Sequence, residues 1–69
     1  MKIDIKLKSQ KDNLSKWMPV TILNIHEGDK VHVIRWEWQN QRFESQEKAD
    51  FYANFNSIRK LKRECFILS

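Results

Sequence analysis

The sequence has 69 residues, a formal net charge of +4 at pH 7, one cysteine and one glycine. A chain this short predicts a single domain, 1–69, and a single glycine excludes the glycine-rich loops that bind phosphates or dinucleotides. One cysteine cannot close an intramolecular disulfide, which favours a cytoplasmic setting, and no continuous apolar run indicates a signal peptide or a membrane partner.

The first half of the chain predicts two strands separated by a loop. Residues 2–8 alternate between apolar and charged side chains, which is the period of a half-buried strand. The polar stretch 9–16 is expected to form a loop. Residues 17–25 are rich in β-branched side chains and predict a second strand, with Pro19 near its start, where a missing N–H group matters least.

A hairpin is expected at Gly28, which can adopt the positive φ of a tight turn, and it joins the second strand to a third strand over 30–38. A polar break at 39–41 then precedes a short fourth strand over 42–44. Ser45 is expected to cap a helix over 45–64.

The fold expected from these elements is α+β. It consists of a small antiparallel sheet of three to four strands in β-meander order, with one C-terminal amphipathic helix packed on one face. Apolar helix residues recur at steps of four, three, three and four, which places them on one side of the helix. We expect this stripe to pack on the sheet; it comprises Phe51, Phe55, Ile58, Leu61 and Cys65.

No cluster of residues identifies a reaction or a cofactor. His26 and His32 lack further ligands at metal-binding spacing, so a metal site is not expected. Cys65 belongs to the predicted core stripe, which favours packing over nucleophilic chemistry. The sequence therefore predicts a protein that is not an enzyme and needs no cofactor.

Positive charge is concentrated at the two ends of the chain. Residues 1–16 carry five basic and two acidic groups (+3), 17–44 three and four (−1), and 45–69 five and three (+2). Cations near a helix C-terminus also interact favourably with the helix dipole without any ligand. Nucleic-acid binding through a basic surface is nevertheless the leading prediction. The residues expected to contact the nucleic acid are Arg59, Lys60, Lys62, Arg63, Arg35, Lys6 and Lys8.

The tryptophans support an alternative function, a protein-binding module such as a small inhibitor, an adaptor or a homodimer. One face of the third strand carries Ile34, Trp36 and Trp38, and we expect the helix to cover this apolar face. If the helix covered the opposite face, these tryptophans would form an exposed platform for bases or for a protein partner. The predicted interface residues are Trp17, Trp36 and Trp38.

Residues 42–53, Arg-Phe-Glu-Ser-Gln-Glu-Lys-Ala-Asp-Phe-Tyr-Ala, follow the predicted strands. This arrangement resembles the three-stranded sheet plus helix of plant AP2-type and phage-integrase arm-binding domains, over roughly the last fifty residues. In those families the sheet enters the DNA major groove, so the resemblance implies DNA binding. The sequence departs from them by an extra N-terminal strand and by a third strand with only one arginine, Arg35. No contact residues are therefore carried over.

Overall fold

The computed structural model describes residues 2–63. In chain order the elements are β1 (Lys2–Leu7), β2 (Gln10–Lys11), β3 (Trp17–Met18), β4 (Val20–Glu27), β5 (Lys30–Glu37) and α1 (Gln46–Arg63). A three-stranded antiparallel sheet has the order β1-β4-β5, and β2 pairs with β3 in a second, two-stranded sheet. The predicted α+β class with one helix is confirmed within the described residues.

The helix covers one face of the three-stranded sheet. On β4 this face carries Thr21, Leu23 and Ile25, all buried, and Thr21 Oγ1 donates a hydrogen bond to the Ala53 carbonyl oxygen at 3.4 Å. Ile34 and Trp36 on β5 lie opposite Leu23 and Thr21, so they belong to the same face. The helix therefore packs on the tryptophan-bearing face, as the apolar pattern predicts.

The stripe of the helix that packs on the sheet differs from the predicted one. The buried helix residues are Ala49, Ala53, Ser57 and Leu61, which recur at steps of four. Leu61 is the only predicted stripe residue among them. Phe51, Phe55 and Ile58 are exposed to solvent, and Cys65 lies outside the described residues.

Close approach of the helix backbone to β4 explains this difference. Ser57 Oγ donates to Thr21 Oγ1 at 2.8 Å, and the Thr21 hydroxyl in turn reaches the backbone carbonyl of Ala53. Small side chains allow such contacts, whereas phenylalanine at these positions would hold the helix away from the sheet. The spacing of apolar residues in the sequence does not show that small side chains are preferred at these helix positions.

Several predicted boundaries also need correction. Pro19 divides the predicted strand 17–25 into β3 and β4, and the predicted loop 9–16 contains β2. The predicted strand 42–44 is wrong, because only an isolated bridge forms there. In this bridge Trp17 and Phe43 exchange two backbone hydrogen bonds of 2.7 and 2.9 Å.

The predicted hairpin turn and helix cap are both present. Gly28 has a φ of 62°, whereas the φ of Asp29 is not positive. This combination of φ signs is expected for a type II′ turn with glycine in the first central position. The turn aligns Glu27 with Lys30. Ser45 Oγ accepts a hydrogen bond of 3.2 Å from the Lys48 N–H group, and the helix begins at the next residue, Gln46.

β5 forms one edge of the three-stranded sheet. The helix packs mainly on β4, β1 and β3, so it lies away from most of β5. His32, on the helix-covered face, is exposed as a result, and Val31 and Val33 are exposed on the uncovered face. Over residues 2–63, no helix combines the length and the apolar character needed to cross a membrane.

Candidate nucleic-acid interface

The side of the helix that points away from the sheet carries large apolar side chains. Phe51, Phe55 and Ile58 are 73%, 53% and 37% exposed. They occupy positions i, i+4 and i+7, so they form one line along the helix. Such a row of exposed side chains on a small domain is the kind of surface that marks a binding site.

Cations continue and flank this apolar line. Lys48 lies three residues before Phe51, and Lys62 lies four residues after Ile58, so each is a neighbour on the same side of the helix. Arg59 lies four residues after Phe55, and its guanidinium carbon is 5.7 Å from the centre of the phenyl ring. We call this surface the outer helix face. Its members are Lys48, Phe51, Phe55, Ile58, Arg59, Lys62 and Arg63.

The outer helix face is strongly positive. Its four cations, Lys48, Arg59, Lys62 and Arg63, are all exposed, and Glu47 is the one acidic residue of the first helical turn. The ion pairs found among residues 2–63 involve other cations, namely Lys16, His26, Arg35 and Arg42. The four cations of this face therefore form no ion pair with an acidic residue in the described part of the chain, and their charge is available to an anionic ligand.

Lys60 has a different environment from the other cations of the segment. Its Nζ atom lies 5.1 Å from the centre of the Trp36 ring, on the side of the helix that faces the sheet. Trp36 makes an edge contact with Trp38, which in turn contacts Tyr52 at a centroid distance of 6.1 Å. Lys60 therefore covers an aromatic cluster and does not belong to the outer helix face.

The three predicted interface tryptophans do not form an exposed platform. Trp17, Trp36 and Trp38 are all half-buried. Trp17 is held by its backbone bridge to Phe43, whose ring packs against Tyr52 at 5.3 Å. Among the Phe, Tyr and Trp rings in the described part of the chain, those of Phe51 and Phe55 are instead the most exposed.

Lys6 and Arg35, also predicted to bind nucleic acid, lie on the uncovered face of the three-stranded sheet. They stand on either side of Ile22 in one cross-strand row, and Lys8 is exposed just beyond the end of β1. Arg35 Nε donates to Glu37 Oε2 at 2.6 Å, and this hydrogen bond lowers the pKa of the Glu37 carboxyl. Arg35, the arginine of this face, is therefore already paired with the Glu37 carboxylate.

The protein residues predicted to contact nucleic acid therefore lie on two opposite sides of the sheet. Arg59, Lys62 and Arg63 share the outer helix face, whereas Lys6 and Arg35 lie on the opposite side of the molecule. The apolar spacing placed Phe51 and Phe55 in the predicted core stripe, and Lys48 was not singled out, so these three residues were not among the predicted contacts. The small residues Ala49, Ala53 and Ser57, spaced by four, were the available signal for the correct face.

The remaining polar features of residues 2–63 are small and separate from one another. Among residues 2–63, no group of three or more histidine, cysteine or acidic residues could hold a metal ion. His26 Nε2 lies 3.0 Å from Asp4 Oδ2 as an isolated pair on the uncovered sheet face. A shallow cavity of about 170 Å³ is lined by Arg35, Trp36, Glu37, Trp38 and Lys60.

Comparison with family models, curated proteins and solved structures finds no match for this chain.

Proposed function

We propose that the protein binds single-stranded nucleic acid through the outer helix face. Phe51 and Phe55 stack on bases, and Lys48, Arg59, Lys62 and Arg63 contact backbone phosphates. The observation that carries the proposal is the exposure of two phenyl rings, 73% and 53%, within a row of cations that acidic groups of residues 2–63 do not neutralise.

The chemistry of single-stranded ligands fits this arrangement. Every base has an apolar π-face, and stacking on an aromatic side chain contributes about 1–3 kcal/mol per base without reading sequence. Phe51 and Phe55 are one helical turn apart, with a rise of about 6 Å along the axis. Lysine and arginine beside them release counterions from the phosphate backbone, which adds affinity that decreases with salt.

A single strand is favoured over a duplex because the phenyl rings need accessible base faces. In a duplex the base faces are stacked on one another, and a protein reaches base edges and phosphates. An unstacked strand can instead place successive bases against a convex aromatic row. The cations do not distinguish DNA from RNA, so both ligands belong in the test.

Ile58 supports a second candidate function. It extends the phenylalanine line and has no aromatic face for stacking, and anchors at i, i+4 and i+7 are the pattern of a helix that docks in a partner's groove. The partner would carry an apolar groove with an acidic rim, complementary to the flanking cations. In this alternative the protein-binding surface would be the outer helix face and not the tryptophan-bearing sheet.

Conservative substitutions separate the two functions. Phe51→Leu and Phe55→Leu keep apolar side chains and remove the aromatic faces, and Ile58→Leu is a matched control that changes no aromatic group. Fluorescence anisotropy with labelled oligo-deoxythymidine and oligo-uridine measures the affinity at low salt. We expect each phenylalanine variant to bind about tenfold more weakly, equivalent to about 1.4 kcal/mol and within the range for one stacked base. Ile58→Leu should bind as the parent protein does.

Two outcomes would overturn the proposal. Absence of binding to either oligonucleotide at low salt removes the nucleic-acid function altogether. Binding that both leucine variants retain in full excludes base stacking on this face.

A further inference from the structure

The outer edge of β5 presents backbone groups that β4 does not use. In a two-residue hairpin the residues that close the turn, here Glu27 and Lys30, exchange hydrogen bonds, and bonded positions then alternate along the strand. The hydrogen bond from Trp38 N–H to the Pro19 carbonyl oxygen, at 3.2 Å, follows the same alternation. The intervening residues direct their N–H and C=O groups outward. They are Val31, Val33, Arg35 and Glu37.

Within residues 2–63, this edge lacks three of the features that usually prevent strand pairing, namely a proline, a bulge and a covering element. Strands at sheet edges are commonly protected by proline, bulges or lysine, or by a covering element. β5 contains no proline or glycine, pairs with β4 without a bulge over eight residues, and lies away from most of the helix. Its charged residues are Lys30, beside the turn, and Arg35 and Glu37, which are hydrogen-bonded to each other. The opposite edge strand, β1, is also charged, with Lys2, Asp4 and Lys6, but it lies under the helix. The two edges therefore differ in their capacity to accept another strand.

We propose that β5 pairs antiparallel with β5 of a second copy of this chain, about a twofold axis at Ile34. In this register Val31 lies opposite the partner's Glu37, and Val33 lies opposite the partner's Arg35. Four residue pairs then exchange about eight backbone hydrogen bonds, and every outward group of the strand is used. The two three-stranded sheets become one continuous sheet.

The side chains favour the second copy as the occupant. Val31 and Val33, now 52% and 65% exposed, become covered on the face without the helix. On the other face Ile34 meets the partner's Ile34, and His32 lies beside the partner's Trp36. Like charges do not stand directly opposite each other at any of these pairs, so the register satisfies the rule for cross-strand neighbours.

The dimer also accommodates both helices. β4 and its symmetry mate would be separated by three strand spacings, about 14 Å in total. Because each helix packs on β4 and β1, the helices are at least that far apart, which exceeds a helix diameter of about 10–12 Å. The pairing leaves the outer helix face free and is independent of the proposed nucleic-acid function.

Charge reversal at one position tests the register. Val33→Lys places a cation opposite the partner's Arg35, and Val33→Glu places a carboxylate there. Each contact occurs twice in the dimer. By sedimentation equilibrium at low salt, we expect at least tenfold weaker dimerisation for Val33→Lys than for Val33→Glu. Circular dichroism checks that both variants fold. A monomer at all concentrations up to about 0.5 mM, or equal dimerisation of both variants, contradicts the proposal.

Hydrogen exchange of single amides provides a second test that does not depend on mutation. The amides of His32, Ile34 and Trp36 should be protected at every protein concentration, since they bond to β4. Those of Val31, Val33 and Arg35 should gain protection as concentration rises through the dimerisation range. Protection that is equal in both sets at low concentration, or that never rises in the second set, overturns the proposed edge pairing.

Discussion

Asp12 illustrates how one side chain organises a loop. Its Oδ1 atom accepts hydrogen bonds from the N–H groups of Leu14 and Lys16, each at 2.9 Å, and Arg42 Nε donates to Oδ2 at 3.0 Å. These contacts lower the pKa of the Asp12 carboxyl, and the hydrogen bond from the Lys16 N–H group contributes most to this effect. The loop includes Ser15 in a left-handed conformation with φ of 61°. The carboxylate therefore holds a turn that ordinary backbone preferences disfavour.

A pH dependence of stability follows from the lowered pKa of Asp12. A carboxyl whose pKa is lower in the folded state contributes stability above its unfolded pKa, and this contribution is lost as pH falls through the folded pKa. Asp12→Asn retains the amide oxygen for the loop and removes the charge beside Arg42. We expect the variant to have a lower melting temperature than the parent at pH 7, with a smaller difference at pH 3. A difference that is unchanged between the two pH values contradicts this assignment.

At the scale of single elements, the strands and the helix were largely predictable because their signals are local. The alternation in β1, the β-branched run of β4, the turn at Gly28 and the Ser45 cap each depend on neighbours in sequence. β2 and the Trp17–Phe43 bridge depend on pairing between distant segments, which local patterns do not encode. The orientation of the helix likewise depends on how closely its backbone approaches Thr21.

The orientation of the helix can be tested by stability measurements. Ala53 is fully buried against the sheet, so Ala53→Leu inserts volume that the contact cannot accept and should lower the free energy of unfolding by about 1–3 kcal/mol. Phe55→Ala removes a far larger side chain from an exposed position and should change that free energy by about 0.5 kcal/mol or less. Urea denaturation measures both. A large loss for Phe55→Ala with none for Ala53→Leu would mean that the helix is rotated by about half a turn.

At the scale of the whole molecule, the sheet separates two groups of cations. Lys6 and Arg35 lie on the uncovered sheet face, and the cations of the outer helix face lie on the other side. Segment charge indicated a basic protein but could not show this division, because it depends on which face the helix covers. The positive charge of the candidate site could therefore be predicted from the sequence, but its aromatic residues could not.

The salt dependence of binding reports which group of cations contacts the ligand. For single strands the logarithm of affinity falls with the logarithm of salt with a slope of about −0.7 per phosphate contact, so four contacts give about −3. Lys62→Gln removes one cation of the outer helix face and should make the slope shallower by about 0.7. Lys6→Gln is the matched control on the uncovered sheet face and should leave the slope unchanged. The reverse result would place the ligand on the sheet.

The most direct test of nucleic-acid binding on the outer helix face is a chemical-shift map of the ¹⁵N-labelled protein titrated with a single-stranded oligonucleotide at low salt. We predict saturable shifts at residues 47–63, largest around Phe51, Phe55 and Arg59, with smaller changes at Lys6 and Asn24 on the uncovered sheet face. Shifts centred on the uncovered face, or no shifts at all, would contradict the assignment of this surface as the binding site.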